Sequence, residues 1–144
     1  MELKIIDVDV AEYQEVLQLR QQVLRLPLGM NLFDEDLSED RDQYIIVAMK
    51  ENILIGCLMI KILDKRIVKF RQMAVHADFQ SKGIGSMIMF YAENFCRLNE
   101  YEKAELHARK SAVDFYSKLD YVIEGDEFEE VGIPHFKMSK YLRS

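Results

Sequence analysis

The stretch that most constrains this chain runs from Arg71 to Ala92. There an apolar-ended strand feeds a short polar loop, and the loop opens an amphipathic helix. Gly83 and Gly85 in that loop carry no Cβ, so their backbone N–H groups can lie against a bulky ligand. The start of a helix adds unpaired donors and a partial positive charge, a combination suited to a phosphate or pyrophosphate. Lys82 puts a full charge beside it. An ordinary strand-to-helix turn has the same composition, so the two glycines acquire meaning only from the rest of the chain.

At 144 residues the chain fits one domain, residues 1–144, large enough to bury about two-thirds of its unfolded surface. The longest apolar run, Ile53 to Ile62, is broken by Gly56 and Lys61 and falls short of the roughly 20 residues of a membrane helix. The N-terminus lacks the charged-then-apolar order of a signal peptide, and a cytosolic (cytoplasmic) protein with no membrane partner is expected. Cys57 lies in an apolar run and Cys96 in a helix, with no paired spacing, so both are expected as buried free thiols and no metal is called for.

The net charge of −6 argues against nucleic acid as a partner. Its distribution is uneven. Lys61, Lys65, Arg66, Lys69, Arg71 and Lys82 make one segment basic, while Asp34 to Asp42 and Glu124 to Glu130 form acidic clusters. Such runs read first as solvated loops. An anionic ligand at the basic segment and a cationic one near the acidic segments fit equally.

In chain order, Glu2 to Val8 reads as a strand and Glu12 to Leu26 as a helix, ended by Pro27 and Gly29. Tyr44 to Met49, Ile53 to Leu63 and Ile67 to Val75 are strands joined by short turns, an antiparallel meander in which Gly56 marks a bulge or close approach. A helix from Gly85 to Leu98 places Ile84, Met87, Ile88, Tyr91, Phe95 and Leu98 on or beside one face. A strand over Lys103 to His107, a short helix over Ser111 to Leu119, and strands at Tyr121 to Ile123 and Ile133 to Met138 complete the pattern. The class is α/β (α+β): a mixed sheet with helices on its faces.

Three blocks of residues then resemble one family. Gln80-Ser81-Lys82-Gly83-Ile84-Gly85 after Met73-Ala74-Val75 resembles the Gln/Arg-x-x-Gly-x-Gly/Ala loop of the GNAT superfamily of acetyl-coenzyme A-dependent N-acetyltransferases. Ala112-Val113-Asp114-Phe115-Tyr116, ending at Leu119-Asp120-Tyr121, resembles that superfamily's Ala-x-x-Phe-Tyr-x-x-x-Gly-Phe helix. Gly132-Ile133-Pro134-His135 resembles the last hairpin of one bacterial branch. The resemblance implies a mostly antiparallel sheet with a bulge that splays strands four and five. It also implies acetyl-coenzyme A (acetyl-CoA) as the acetyl donor, and a homodimer is plausible on the same ground. Asp120 stands where the family has Gly, which calls for a left-handed Asp.

By the same resemblance the coenzyme falls to Met73, Ala74, Val75, Gln80, Ser81, Lys82, Gly83, Ile84, Gly85, Ser86, Ala112, Phe115 and Tyr116. The N–H of Val75 is implied as the oxyanion donor and Tyr116 as the acid for the leaving thiolate. A phenol near pKa 10 against a thiol near 8.5 makes that assignment workable. Packing beside the coenzyme tail is the plainer role for Tyr116. The general base is not fixed, because Arg71 and Gln72 occupy the strand where relatives carry Glu. His135, flanked by Pro134 and with an ordinary pKa near 6.5, is a candidate base or acceptor contact. His107 at a strand end is an alternative relay, and a water chain a third route. Arg20 and Arg25 are expected on the acceptor wall.

The expected activity is transfer of acetyl from acetyl-CoA directly to a primary amine of a small molecule, a cationic one included, or of a peptide, with no covalent acetyl-enzyme. A coenzyme-binding sensor or interaction domain without turnover is the rival from another class. A nucleotide-binding domain is disfavoured, since no Gly-x-x-x-x-Gly-Lys-Ser/Thr is present.

Overall fold

The computed structural model describes residues 1–142. It contains β1 (Glu2–Ile6), α1 (Glu12–Arg20), β2 (Tyr44–Lys50), β3 (Ile53–Ile62), β4 (Ile67–Val75), α2 (Ile84–Leu98), β5 (Lys103–Arg109), α3 (Val113–Ser117), β6 (Val122–Ile123), β7 (Phe128–Glu130) and β8 (Ile133–Tyr141). Strand pairing runs β1-β2-β3-β4-β5-β8-β6, with β7 also on β8. The β4–β5 pair is parallel, while β1–β2, β2–β3, β5–β8, β6–β8 and β7–β8 are antiparallel. This is the mixed, mostly antiparallel sheet that the sequence calls for.

The chain divides into two compact units, residues 1–61 with 72–92, and residues 62–71 with 93–142 among those described. In the first, Glu51 and Asn52 both take positive φ (51° and 67°), the two-residue turn whose twist suits a hairpin. The β2–β3 register shifts between Ala48 and Met49, opposite Gly56 and Leu54. A Cβ on Gly56 would fall 2.7 Å from Ile88 Cδ1, so this glycine marks both a bulge and a close approach of α2 to β3. Val16, Leu17 and Leu19 of α1 join Ile45, Val47, Met49, Leu54, Cys57, Met59 and Ala74 in one buried cluster.

The first helical stretch is α-helical only in its first part. It stays α-helical to Arg20 and widens into one π turn over Gln21–Arg25, and Leu26–Leu28 closes it as a 3-10 turn capped by left-handed Gly29. Asp40, in the acidic run, is not a solvated charge. It is 5% exposed and accepts from Arg20 Nη1 (2.8 Å) and the Tyr13 hydroxyl (2.7 Å). Arg20 is therefore a buried structural cation rather than a wall residue.

In the second unit β5 and β8 pair over their full facing length, from Lys103–Tyr141 to Arg109–His135. Glu93, 2% exposed on α2, accepts from the Tyr121 hydroxyl (2.9 Å) and Lys140 Nζ (2.8 Å), so this buried carboxylate is satisfied. Asp120 does take the left-handed conformation (φ 73°). Both cysteines are buried free thiols, pushed up to about 12 by desolvation. Among the described residues no helix is long and apolar enough to cross a membrane.

Candidate active site

The loop after β4 is built almost wholly by its own backbone. His76 Nδ1 accepts from the Asp78 N–H (3.1 Å), and Phe79 N–H bonds back to the His76 carbonyl (2.8 Å), which sets the 3-10 turn Ala77–Phe79. The Gln80 side-chain amide donates to the Val75 carbonyl (3.0 Å) and ties the loop to the strand end. Ser81 (φ 62°) and Gly83 (φ 82°) then turn the chain through left-handed conformations, and only the second position is free of cost. Met87 N–H is the first donor of α2 to bond backward, to the Gly83 carbonyl (3.1 Å). The N–H groups of Ile84, Gly85 and Ser86 precede it and have no intrahelical acceptor. Lys82 and Lys50 each place an ammonium 5.7 Å from the Phe79 ring centre, so two cations flank the loop. These groups together can take an anion.

The strand before the loop carries one backbone irregularity. Gln72 sits at φ 56°, a left-handed residue inside β4. Its carbonyl accepts from Cys57 Sγ (3.4 Å), and its side-chain oxygen accepts from Arg25 Nη2 (3.4 Å). Arg25 is in turn held by Glu35 through Nε (2.7 Å). Beyond Gln72, Met73 and Val75 are half-buried and Ala74 is buried, the alternation of a strand. The recorded β4–β5 pairs run from Ile67–Lys103 to Phe70–Leu106, although β5 continues to Arg109. These pairs end before Gln72, the left-handed residue of β4.

After β5, a 3-10 turn (Lys110–Ala112) leads into α3, where Ala112, Phe115 and Tyr116 are half-buried. Tyr116 packs edge-on against Phe115 (4.9 Å) and Tyr121 (6.0 Å). Its hydroxyl makes no hydrogen bond among the described residues, and burial pushes it up to about 12. The group is thus neutral near pH 7 and has its proton available to an acceptor. That value is above the ordinary phenol, so such a hydroxyl donates a hydrogen bond to an anion more readily than it gives up its proton.

The β7–β8 hairpin carries the remaining side chains. His135 is 4% exposed and its Nδ1 donates to the Ile133 carbonyl (2.9 Å). Its Nε2 lies 3.7 Å from Glu130 Oε2, and Glu130 Oε1 lies 2.9 Å from Nδ1 of His107 on β5. The Phe128 ring stacks on His135 (6.0 Å) and meets His107 edge-on (5.0 Å). Burial pushes the Glu130 carboxyl up, but the His107 hydrogen bond and the charges of His107, His135 and Lys69 outweigh it and hold the carboxyl below its usual range. The hairpin thus brings both histidines to one carboxylate.

Sequence reading missed both β7 and Glu130, because an acidic run reads as a solvated loop. The available signal was Val131-Gly132 between Phe128-Glu129-Glu130 and Ile133-Pro134-His135. Both turn residues have positive φ (49° and 77°), the two-residue hairpin geometry.

With this geometry in view, the family model described as an acetyltransferase (GNAT) domain matches residues 13–142. The chain belongs to the GNAT acetyltransferases. YyaT of Bacillus subtilis is 31% identical to this GNAT protein over 111 residues, 76% of this chain and 74% of YyaT. The crystal structure of Escherichia coli ElaA superposes with TM-score 0.84 at 20% identity, over 97% of this chain and 99% of ElaA. A GNAT family acetyltransferase from Elizabethkingia anophelis, solved with acetyl-CoA bound, gives TM-score 0.72 at 16% identity over 97% of each chain. The GNAT fold of this chain is therefore one that carries acetyl-CoA in a structural relative.

Proposed function

We propose that this GNAT protein is an N-acetyltransferase that passes acetyl from acetyl-CoA directly to a primary amine of a small molecule or peptide. The observation that carries this reading is the loop. Left-handed Ser81 and Gly83 precede a helix start whose N–H groups lack acceptors, beside Lys82, and that is what a diphosphate requires. Gln80, Ser81, Lys82, Gly83, Ile84, Gly85 and Ser86 would hold the diphosphate. Met73, Ala74 and Val75 would bond the amide-bearing arm through their backbone, with the Val75 N–H as oxyanion donor. Ala112, Phe115 and Tyr116 would line the thiol end, and the unpartnered Tyr116 hydroxyl would donate to the leaving sulfur.

His135 would serve the acceptor end. Its burial argues for orienting a neighbour rather than meeting the amine itself. No covalent acetyl-enzyme is needed, since both thiols are buried and shifted up to about 12. The net charge of −6 favours a cationic acceptor drawn in by negative potential. The protein would work in the cytoplasm, and self-pairing through its last strands would give a homodimer.

The test is a panel of polyamines, aminoglycosides, amino acids and peptides assayed with acetyl-CoA, with calorimetry of coenzyme binding alongside. Acetylation of at least one amine is expected, with cationic acceptors preferred. Tight coenzyme binding with no amine acetylated would instead assign a sensor domain. Uptake by neutral or acidic acceptors alone would sink the cationic preference.

A further inference from the structure

The carboxylate that the β7–β8 turn carries to β5 has a chemical consequence. A carboxylate can only accept, so the 2.9 Å contact between Glu130 Oε1 and His107 Nδ1 fixes the proton on Nδ1. The Nε2 of a neutral His107 is then a lone pair. The His107 side chain is 28% exposed, whereas that of His135 is 5% exposed, so of the two rings His107 is the one open to solvent. His107 also follows Leu106, which pairs with Phe70 of β4.

We infer that His107 is the catalytic base of this protein and that Glu130 is the positioning residue that sets its tautomer and stabilises its charged form. This rests on the acetyl-transfer reading above. His135, locked by its own Nδ1–H on the Ile133 carbonyl, and Phe128, edge-on to His107, hold the pair in place. Lys69 on β4 and His135 on β8 also bring charge to Glu130. Lys137, opposite His107 in register, is engaged by Glu105 (3.4 Å) and Glu124 (3.7 Å). A proton on His107 would therefore face a carboxylate, the arrangement that orients and stabilises an imidazolium in histidine-based catalysis.

The acceptor arrives as an ammonium, and one N–H bond breaks with the proton passing to His107 Nε2 while the electron pair stays on nitrogen. That pair forms the C–N bond at the thioester carbonyl carbon. The C–S bond then breaks and sulfur leaves with its electrons. A second proton from the attacking nitrogen ends on that sulfur, and His107 returns its own to solvent. The products are the amide, the free thiol of the coenzyme and one released proton.

Two measurements test this on the full chain. Nitrogen-15 NMR of the imidazole rings, read without turnover, should show neutral His107 as the Nδ1–H tautomer. Glu130→Ala should return it toward the ordinary Nε2–H form, and Glu130→Asp should retain the first. In the amine assay, His107→Gln should lower kcat/KM about a hundredfold or more with coenzyme affinity unchanged. Added imidazole should restore part of the activity of His107→Ala. An Nε2–H tautomer in the wild-type protein, or His107→Gln within threefold of wild type, would overturn the assignment. Wild-type protein that acetylates no amine, with the Nδ1–H tautomer present, would overturn the acetyl-transfer reading and the base role with it.

Discussion

The loop over His76–Ser86 and the hairpin over Phe128–His135 present chemistry in opposite ways. The loop offers backbone N–H groups, and its shape follows from neighbours in sequence: His76 caps Asp78, Gln80 reaches Val75, and Gly83 accepts from Met87. The hairpin offers side chains, and its contacts span long separations, with Glu130 and His107 lying 23 residues apart. A backbone site tolerates many side chains but few conformations. A side-chain site has the reverse sensitivity. Substitutions should therefore divide cleanly, with loop changes showing in coenzyme affinity and changes around α3 and the hairpin showing in turnover.

The largest expected effect outside His107 is at Tyr116. Tyr116→Phe keeps the ring packing but removes the unpartnered hydroxyl, so kcat should fall tenfold or more, about 1.4 kcal/mol or above, with coenzyme Kd unchanged by calorimetry. A change in Kd alone would make it a packing residue and blur the division.

Next is Gly83→Ala in the loop. Its Cβ would meet nothing within 4 Å, so the cost is that of a left-handed Ala alone. About 1 kcal/mol, or roughly fivefold in coenzyme Kd, is expected with saturated kcat unchanged. Gln80→Ala removes the tie to Val75 and should weaken coenzyme binding by about twofold to fivefold, in line with roughly 0.5–1 kcal/mol for one exposed hydrogen bond.

The hairpin turn offers a stability test. Val131 is a β-branched residue at φ 49°, an unfavourable conformation that Asn takes readily. Val131→Asn should raise thermal stability by about 0.5–1 kcal/mol.

The smallest effect is a pH dependence. Because the folded Glu130 carboxyl lies below its ordinary 4.5, its contribution to stability is present above that pH and is lost as pH falls through the folded value. Glu130→Gln should therefore flatten the acid side of the stability curve while leaving coenzyme affinity unchanged. An unaltered acid slope would mean that the His107 contact contributes nothing to folding.

The division also governs what could be read in advance. The meander, the bulge at Gly56 and the strand–loop–helix unit were legible, because hydrophobic period, glycine placement and capping act over a few residues, whereas the left-handed Asp120 followed from the family resemblance. The helix over Glu12 to Leu26 was legible in extent but not in kind, since the π turn at Gln21–Arg25 left its apolar spacing almost unchanged. Asp40 and Glu130 were read as solvated members of acidic runs, and both are structural. Asp40 is buried against Arg20 and Tyr13, and Glu130 joins two histidines.

What the sequence determined by itself is the backbone cradle, because its geometry is written into adjacent residues whose allowed φ and ψ are narrow. Which carboxylate meets which cation or imidazole was decided only by tertiary structure. Charge along a chain carries no record of its partners, and a two-residue turn with strand register is what sets Glu130 beside His107.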